Sequence, residues 1–212
     1  MARSEASARA RALVADEAGR TYAEEAGIRL KDTPQPLYQL LVLAHLLSAR
    51  IRAATAVAAA RALFEAGMRS PRAMRDASWQ ERVDALGEGG YRRYDERTAT
   101  QLGEEAGLLL EKYGGDLRRM RAAADGDVDA LGAALREMPG IGPAGADIFL
   151  REVQGVWPDV GPYLDERALE GARRAGLPAD RAALAELVPG KDLPALASAL
   201  VRTSLDRPAK GS

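Results

Sequence analysis

The segment Met138-Pro139-Gly140-Ile141-Gly142-Pro143 constrains the fold of this chain more than any other. An apolar-faced helical pattern leads into it, and an alanine-rich helical pattern follows at once. Two glycines bracket a single hydrophobe. Glycine adopts backbone angles closed to other residues and lets a ligand come close to the main chain. Pro143 suits the first turn of the second helix, where its missing N–H costs nothing. The pattern predicts a tight hairpin between two helices. The backbone N–H groups that open the second helix would then face outward, an arrangement suited to a phosphate oxygen.

The remainder of the chain reads as helical. Alanine is abundant and aromatics make up only 5% of the 212 residues, which favours close-packed helices, since alanine combines the best helix propensity with little bulk. No sustained alternation of β-branched residues predicts a sheet. The expected helices cover 4–19, 21–26, 37–49, 51–66, a segment opened by Ser70-Pro71, one opened by the capping box Ser78-Trp79-Gln80-Glu81, and a long one from Tyr91 to Tyr113. Lys31 to Pro36 reads as a break. Gly114 and Gly115 stop the long helix, and a charged linker is expected through Gly126. Asp127 then caps the helix that enters the hairpin, and the second hairpin helix runs to about Val153. Tyr163-Leu164-Asp165 opens another helix that ends near Gly176. Two more fit 179–188 and 193–205, with a frayed tail from Arg207.

The hydrophobic share of 47% supports a real core, and the length suits one domain or two small ones. No stretch reaches transmembrane length, so a cytoplasmic soluble protein is expected. The sequence contains no cysteine, which excludes disulfides, thiol nucleophiles and cysteine-ligated iron–sulfur or zinc sites. The single histidine, His45, sits in a run of apolar residues and reads as a packed helix residue. The formal net charge is -1, so no whole-chain positive field exists, although a local basic face is compatible with that balance. Arginine dominates the basic residues and offers a fixed fork for phosphates.

The hairpin residues resemble the helix-hairpin-helix motif of the endonuclease III-like DNA glycosylases. Met138, Pro139, Gly140, Ile141, Gly142, Gly145 and Ala146 stand at that motif's positions. Leu46-Leu47-Ser48-Ala49-Arg50 resembles the family's early helix ending in Leu-Leu-Ser-Ala-Gln, and Gly90-Tyr91-Arg92-Arg93 resembles its mid-chain loop. The resemblance implies an all-α, two-lobed fold with a cleft between the lobes. Residues 33–151 would form a central lobe carrying the hairpin, and 1–32 with 152–212 a second lobe. It also implies a monomer that acts on double-stranded DNA containing a lesion or mismatch, associates with the nucleoid through that DNA, and has no membrane partner.

Breaking a base–sugar bond develops positive charge on the deoxyribose, and a carboxylate beside the sugar stabilises it. Asp165 is the candidate, because the family places its catalytic aspartate downstream of the hairpin at the start of the next helix. A carboxylate there also meets free N–H groups and the positive end of the helix dipole, and capping alone would account for it. The segment between Trp157 and Asp165 is slightly longer than the family's, and Leu164-Asp165-Glu166-Arg167 replaces its Val-Asp-Thr-His. Asp159 is therefore a rival for the role. Ala144 occupies the position of the lysine that bifunctional members use as an amine nucleophile, and Schiff-base chemistry needs an amine. The family's four closing cysteines are also absent. The expectation is a monofunctional glycosylase of base excision repair, with no iron–sulfur cluster, no metal and no other cofactor.

For DNA contact the expected residues are Arg50, Arg52, Gly140, Ile141, Gly142, Pro143, Ala144 and Gly145. Arg50 matches a family glutamine that enters the duplex, where a long side chain can fill the hole left by a flipped base. Arg52, Arg92 and Arg93 could flank the same channel, and Tyr91, Tyr94 and Tyr163 offer stacking surfaces. Two other readings fit the sequence: a non-catalytic DNA-binding protein with the same hairpin, and a helical protein-interaction module. A dinucleotide-binding enzyme does not fit, because no strand precedes the glycines and the third glycine is missing.

Overall fold

A computed structural model describes residues 3–205, and the expected frayed tail from Arg207 lies outside them. Thirteen α-helices and two short 3-10 turns account for the described residues, with no strand among them. The helices are α1 (Arg3–Ala15), α2 (Tyr22–Glu25), α3 (Pro34–Leu47), α4 (Ala53–Glu65), α5 (Pro71–Asp76), α6 (Trp79–Glu88) and α7 (Asp95–Tyr113). They continue with α8 (Leu117–Ala123), α9 (Val128–Arg136), α10 (Pro143–Val153), α11 (Glu166–Arg174), α12 (Arg181–Ala185) and α13 (Leu193–Leu205).

Two hydrophobic cores organise them. The larger surrounds α3, whose sequence PQPLYQLLVLAHLL is apolar on every side and therefore buried on every side. Helices α4 and α10 pack against it, and α6 and α7 close the far side. The smaller core joins α1, α11 and α13 through Ala6, Ala10, Ala168, Ala172, Leu196 and Leu200. Small residues bring these helices together. A Cβ on Gly171 would collide with the Leu200 carbonyl, so glycine permits backbone-to-backbone packing of α11 on α13. Gly89 plays the same part where the end of α6 meets Ala59 of α4.

Contacts between distant segments fix the helices, and one of them, made by Arg202, ties the two cores. The Glu152 carboxylate of α10 accepts from the backbone N–H groups of Tyr22 (2.8 Å) and Ala23 (3.0 Å), capping α2 from across the molecule. Arg202 of α13 donates to Glu25 (2.8 Å) and stacks over the Tyr22 ring at 4.4 Å. The Trp157 indole donates to Asp32 (2.8 Å), and Arg121 lies over the same indole.

The structure departs from the sequence reading at four places. Helix α3 begins at Pro34, inside the expected break, because two prolines in its first turn need no N–H partner. Helix α7 begins at Asp95, leaving Tyr91 to Tyr94 in a loop. The expected charged linker contains α8, capped by Asp116 and buried through Leu117 and Met120. Leu205, the apolar last residue of the helix expected over 193–205, is exposed instead of packed. The capping boxes at Thr21 and Ser78, the Asp127 cap and the left-handed stop at Gly114 follow the residues that announce them.

Candidate active site

The hairpin sits at the surface between α9 and α10, where the turn is made by Met138 to Gly142. Gly140 has φ +85°, a conformation that requires glycine. Gly142 is extended at φ -93° and serves as the N-cap of α10, so no side chain covers the N–H groups of the first turn. Pro143 takes the first helical position, as its chemistry predicts. The Ile141 side chain points inward and is buried, so this residue can offer a ligand only its main chain. Beneath the turn lies His45 of α3, packed so tightly that a Cβ on Gly140 would overlap its ring.

A cleft of about 1300 Å³ opens beside the hairpin helix. Arg50 and Ile51 from the α3–α4 connection, Ala144 and Asp147 from α10, and Tyr163 and Asp165 from the segment before α11 all face it. Arg50 and Arg167 are exposed there, and neither makes an ion pair among the described residues. Arg52 is the exposed N-cap residue of α4, next to Ala53 at the edge of the cleft. Arg92 and Arg93 are exposed on the α6–α7 loop and do not line the cleft. Tyr91 is buried in the larger core and offers no stacking surface, whereas half-buried Tyr163 faces the cleft.

Asp165 is held on both oxygens. Oδ1 accepts from the Ala168 backbone N–H at 3.0 Å, the side-chain cap of α11. Oδ2 is ion-paired with Nη1 of Arg151 on α10. The side chains of this pair are 9% and 11% exposed, so the charges meet in a mostly dry wall of the cleft. A carboxylate keeps further lone pairs beyond two partners, and capping therefore leaves room for a third contact.

The segment carrying Asp165 is fixed from α10. Gln154 accepts from the Tyr163 N–H (2.8 Å) and donates to the carbonyls of Tyr163 (3.0 Å) and Arg151 (2.8 Å). The Tyr163 hydroxyl donates to Asp147 at 2.6 Å. Burial, with the Asp147 carboxylate next in effect, pushes the phenol far above its ordinary range, so Tyr163 stays a neutral donor. Asp159 takes no part in this arrangement. It is paired with Arg121, which lowers its pKa, and it does not line the cleft.

Arg151, Asp147 and Gln154 were missed by sequence reasoning. The available signal was a set of polar residues, Asp147, Arg151, Glu152 and the C-cap Gln154, on a helix whose other positions are small or apolar. No lysine lines the cleft, and no group of acidic or histidine residues among those described could hold a metal ion. No helix among the described residues is long and apolar enough to cross a membrane.

No protein-family model matches the sequence, and no curated protein matches it. Solved structures do. A non-covalent endonuclease III–DNA complex superposes with a TM-score of 0.51 at 19% identity, covering 85% of this chain and 80% of that one. A trapped endonuclease III–DNA covalent intermediate, an estranged-adenine complex, gives 0.50 at 19% identity, with 85% and 81% covered. The chain shares the fold of endonuclease III. Its all-α, two-lobed arrangement follows that fold over most of both chains. With no cysteine in the sequence there is no cysteine-held cluster, and the smaller core is built by side-chain packing of α1, α11, α12 and α13.

Proposed function

We propose that this chain is a monofunctional DNA glycosylase of base excision repair, acting as a monomer on duplex DNA in the nucleoid. The observation that carries the reading is the position of Asp165. Its carboxylate faces the cleft that Ala144 of the hairpin helix and Arg50 of the α3–α4 connection also line. In this reading the lobes follow the sequence division, 33–151 against 1–32 with 152–212, and DNA lies across the cleft. Phosphates would meet the uncapped first turn of α10, with Gly140, Ile141, Gly142, Pro143, Ala144 and Gly145 offering main chain. Arg50 would fill the space left by a flipped damaged or mismatched base, with Arg52 on a neighbouring phosphate.

The chemistry needs no amine. As the C1′–N bond breaks, its electron pair leaves with the base, and Asp165 stabilises the positive charge left on the sugar. Water adds to C1′ and gives a proton to the carboxylate, which returns it to solvent, while the departing base anion takes up a proton from solvent. The experiment is a panel of duplexes, each bearing one lesion, assayed for base release with and without alkali. An abasic product cleaved only by alkali is the expected outcome.

One observation favours a second reading. Arg151 neutralises Asp165 in the free protein, which suits a non-catalytic DNA-binding protein in which the aspartate only caps α11. Duplex binding without base release across the panel selects this alternative.

A further inference from the structure

A buried histidine–glutamate pair lies beneath the hairpin. His45 Nδ1 and Glu105 Oε2 are 3.0 Å apart, with side chains 4% and 0% exposed. Glu105 comes from α7, His45 from α3, and the opposite edge of the imidazole, Cε1 and Nε2, abuts Gly140. The ring therefore joins a buried carboxyl to the one hairpin residue that must keep a left-handed conformation.

We propose that His45 and Glu105 are positioning residues that set the hairpin, with Glu105 orienting the ring and the ring propping the Gly140 turn. Several observations carry this. The contact explains why position 140 excludes any side chain, independently of its φ. The pair is also built at a cost. A buried carboxyl and imidazole are expensive unless each satisfies the other, and the second Glu105 oxygen makes no hydrogen bond within the protein. An apolar residue at position 105 would pack the same space more cheaply, but it would not fix the rotation of the His45 ring. The other titratable groups interacting with this pocket are Tyr38 of α3, whose hydroxyl is also buried without a partner, and more remotely Arg82 of α6. The hairpin from Pro139 to Ala146 contributes no titratable side chain. Burial raises the Glu105 carboxyl, and the His45 hydrogen bond only partly opposes it. The packing of the ring against Gly140 carries any change at Glu105 to the hairpin turn.

The consequence for binding rests on reading the hairpin as a DNA-facing element, but the core of the inference can be tested without DNA. His45 is the only histidine, so its ring resonances are unambiguous. A nuclear magnetic resonance titration from about pH 5 to about pH 9 would follow the ring nitrogens together with the Gly140, Ile141 and Gly142 amides. The expected result is a midpoint shared by the three hairpin amides, displaced or abolished in Glu105→Gln. Hairpin amides that stay still across the range, or that move with a midpoint unchanged by Glu105→Gln, would overturn the proposal. If the variant does not fold, the wild-type titration decides it: hairpin amides that show no common midpoint sink it. Duplex affinity measured over the same range separates this inference from the reading it rests on. Absence of any duplex binding by the wild type removes the DNA reading and leaves the coupled titration to judge the pair. Duplex binding with a pH profile unmoved by Glu105→Gln removes the pair from control of the hairpin.

Discussion

Arg151 and Asp165 meet as an ion pair on the wall of the cleft, although one lies on the hairpin helix and the other caps the helix after it. This pair holds together the two elements that any chemistry in the cleft would require. It also places a positive charge against the carboxylate proposed to act on a sugar cation, so the strength of the pair bears on both stability and catalysis.

Removing the arginine should cost stability. Arg151→Met leaves the Asp165 charge in a site only about one-tenth exposed, and breaking a largely buried pair from one side typically costs about 3 kcal/mol. Chemical denaturation should show that loss. An unfolding free energy equal to the wild type would mean that solvent already screens the pair.

The two hairpin glycines should differ sharply. Gly140→Ala meets the His45 ring and a positive φ, and is expected to lower stability by at least about 2 kcal/mol. Gly142→Val meets open space at an extended φ, and should melt close to the wild type. A folded Gly142→Val protein should bind duplex DNA more weakly by at least about threefold, whatever the sequence. Unchanged affinity there would take the hairpin out of the proposed interface.

The legible part of this fold was punctuated by residues with local chemistry. Ser78 with Glu81, Asp127, Gly114, and the Pro139 to Pro143 turn each announce a helix end through hydrogen bonds made within a few residues. Helix α8 escaped because LRRMRAA shows a single buried pair, Leu117 and Met120, too short a stripe to stand out from its arginines. Asp165 and Arg50 could be placed at the cleft because recognisable segments carry them. Arg151 could not, since its partner lies beyond a helix break. The contact of His45 with Gly140 and the capping of α2 by Glu152, the latter across 130 positions, join residues far apart in the chain, and no local periodicity encodes such meetings.

The cap supplied by Glu152 should be measurable. Glu152→Ala leaves two buried backbone N–H groups at the start of α2 without an acceptor, and each such loss costs about 1–3 kcal/mol. A drop of at least about 2 kcal/mol is expected, with hydrogen exchange accelerated at Tyr22 and Ala23. Wild-type exchange at those amides would show that another acceptor replaces the carboxylate.

Stability should depend on pH through Glu105. Its folded pKa is raised by burial above the ordinary 4.5, so the folded state holds its proton to higher pH than the unfolded state does. The stabilisation from this group is full below about 4.5 and is lost as pH rises through the raised folded value. The unfolding free energy of the wild type should therefore fall relative to Glu105→Gln as pH rises above 4.5. A difference that stays constant or grows with pH would contradict a raised carboxyl.

The most direct test of the central claim is Asp165→Asn, assayed for single-turnover base release on the best duplex of the lesion panel. Asparagine keeps a capping oxygen for Ala168 but leaves the Arg151 charge unpaired, so a loss of stability of the same order as for Arg151→Met is expected, and the assay is run well below the variant's melting temperature. The account predicts excision slower by at least about tenfold, equivalent to about 1.4 kcal/mol, with duplex affinity within about threefold of the wild type. Excision by the folded variant at the wild-type rate would contradict it.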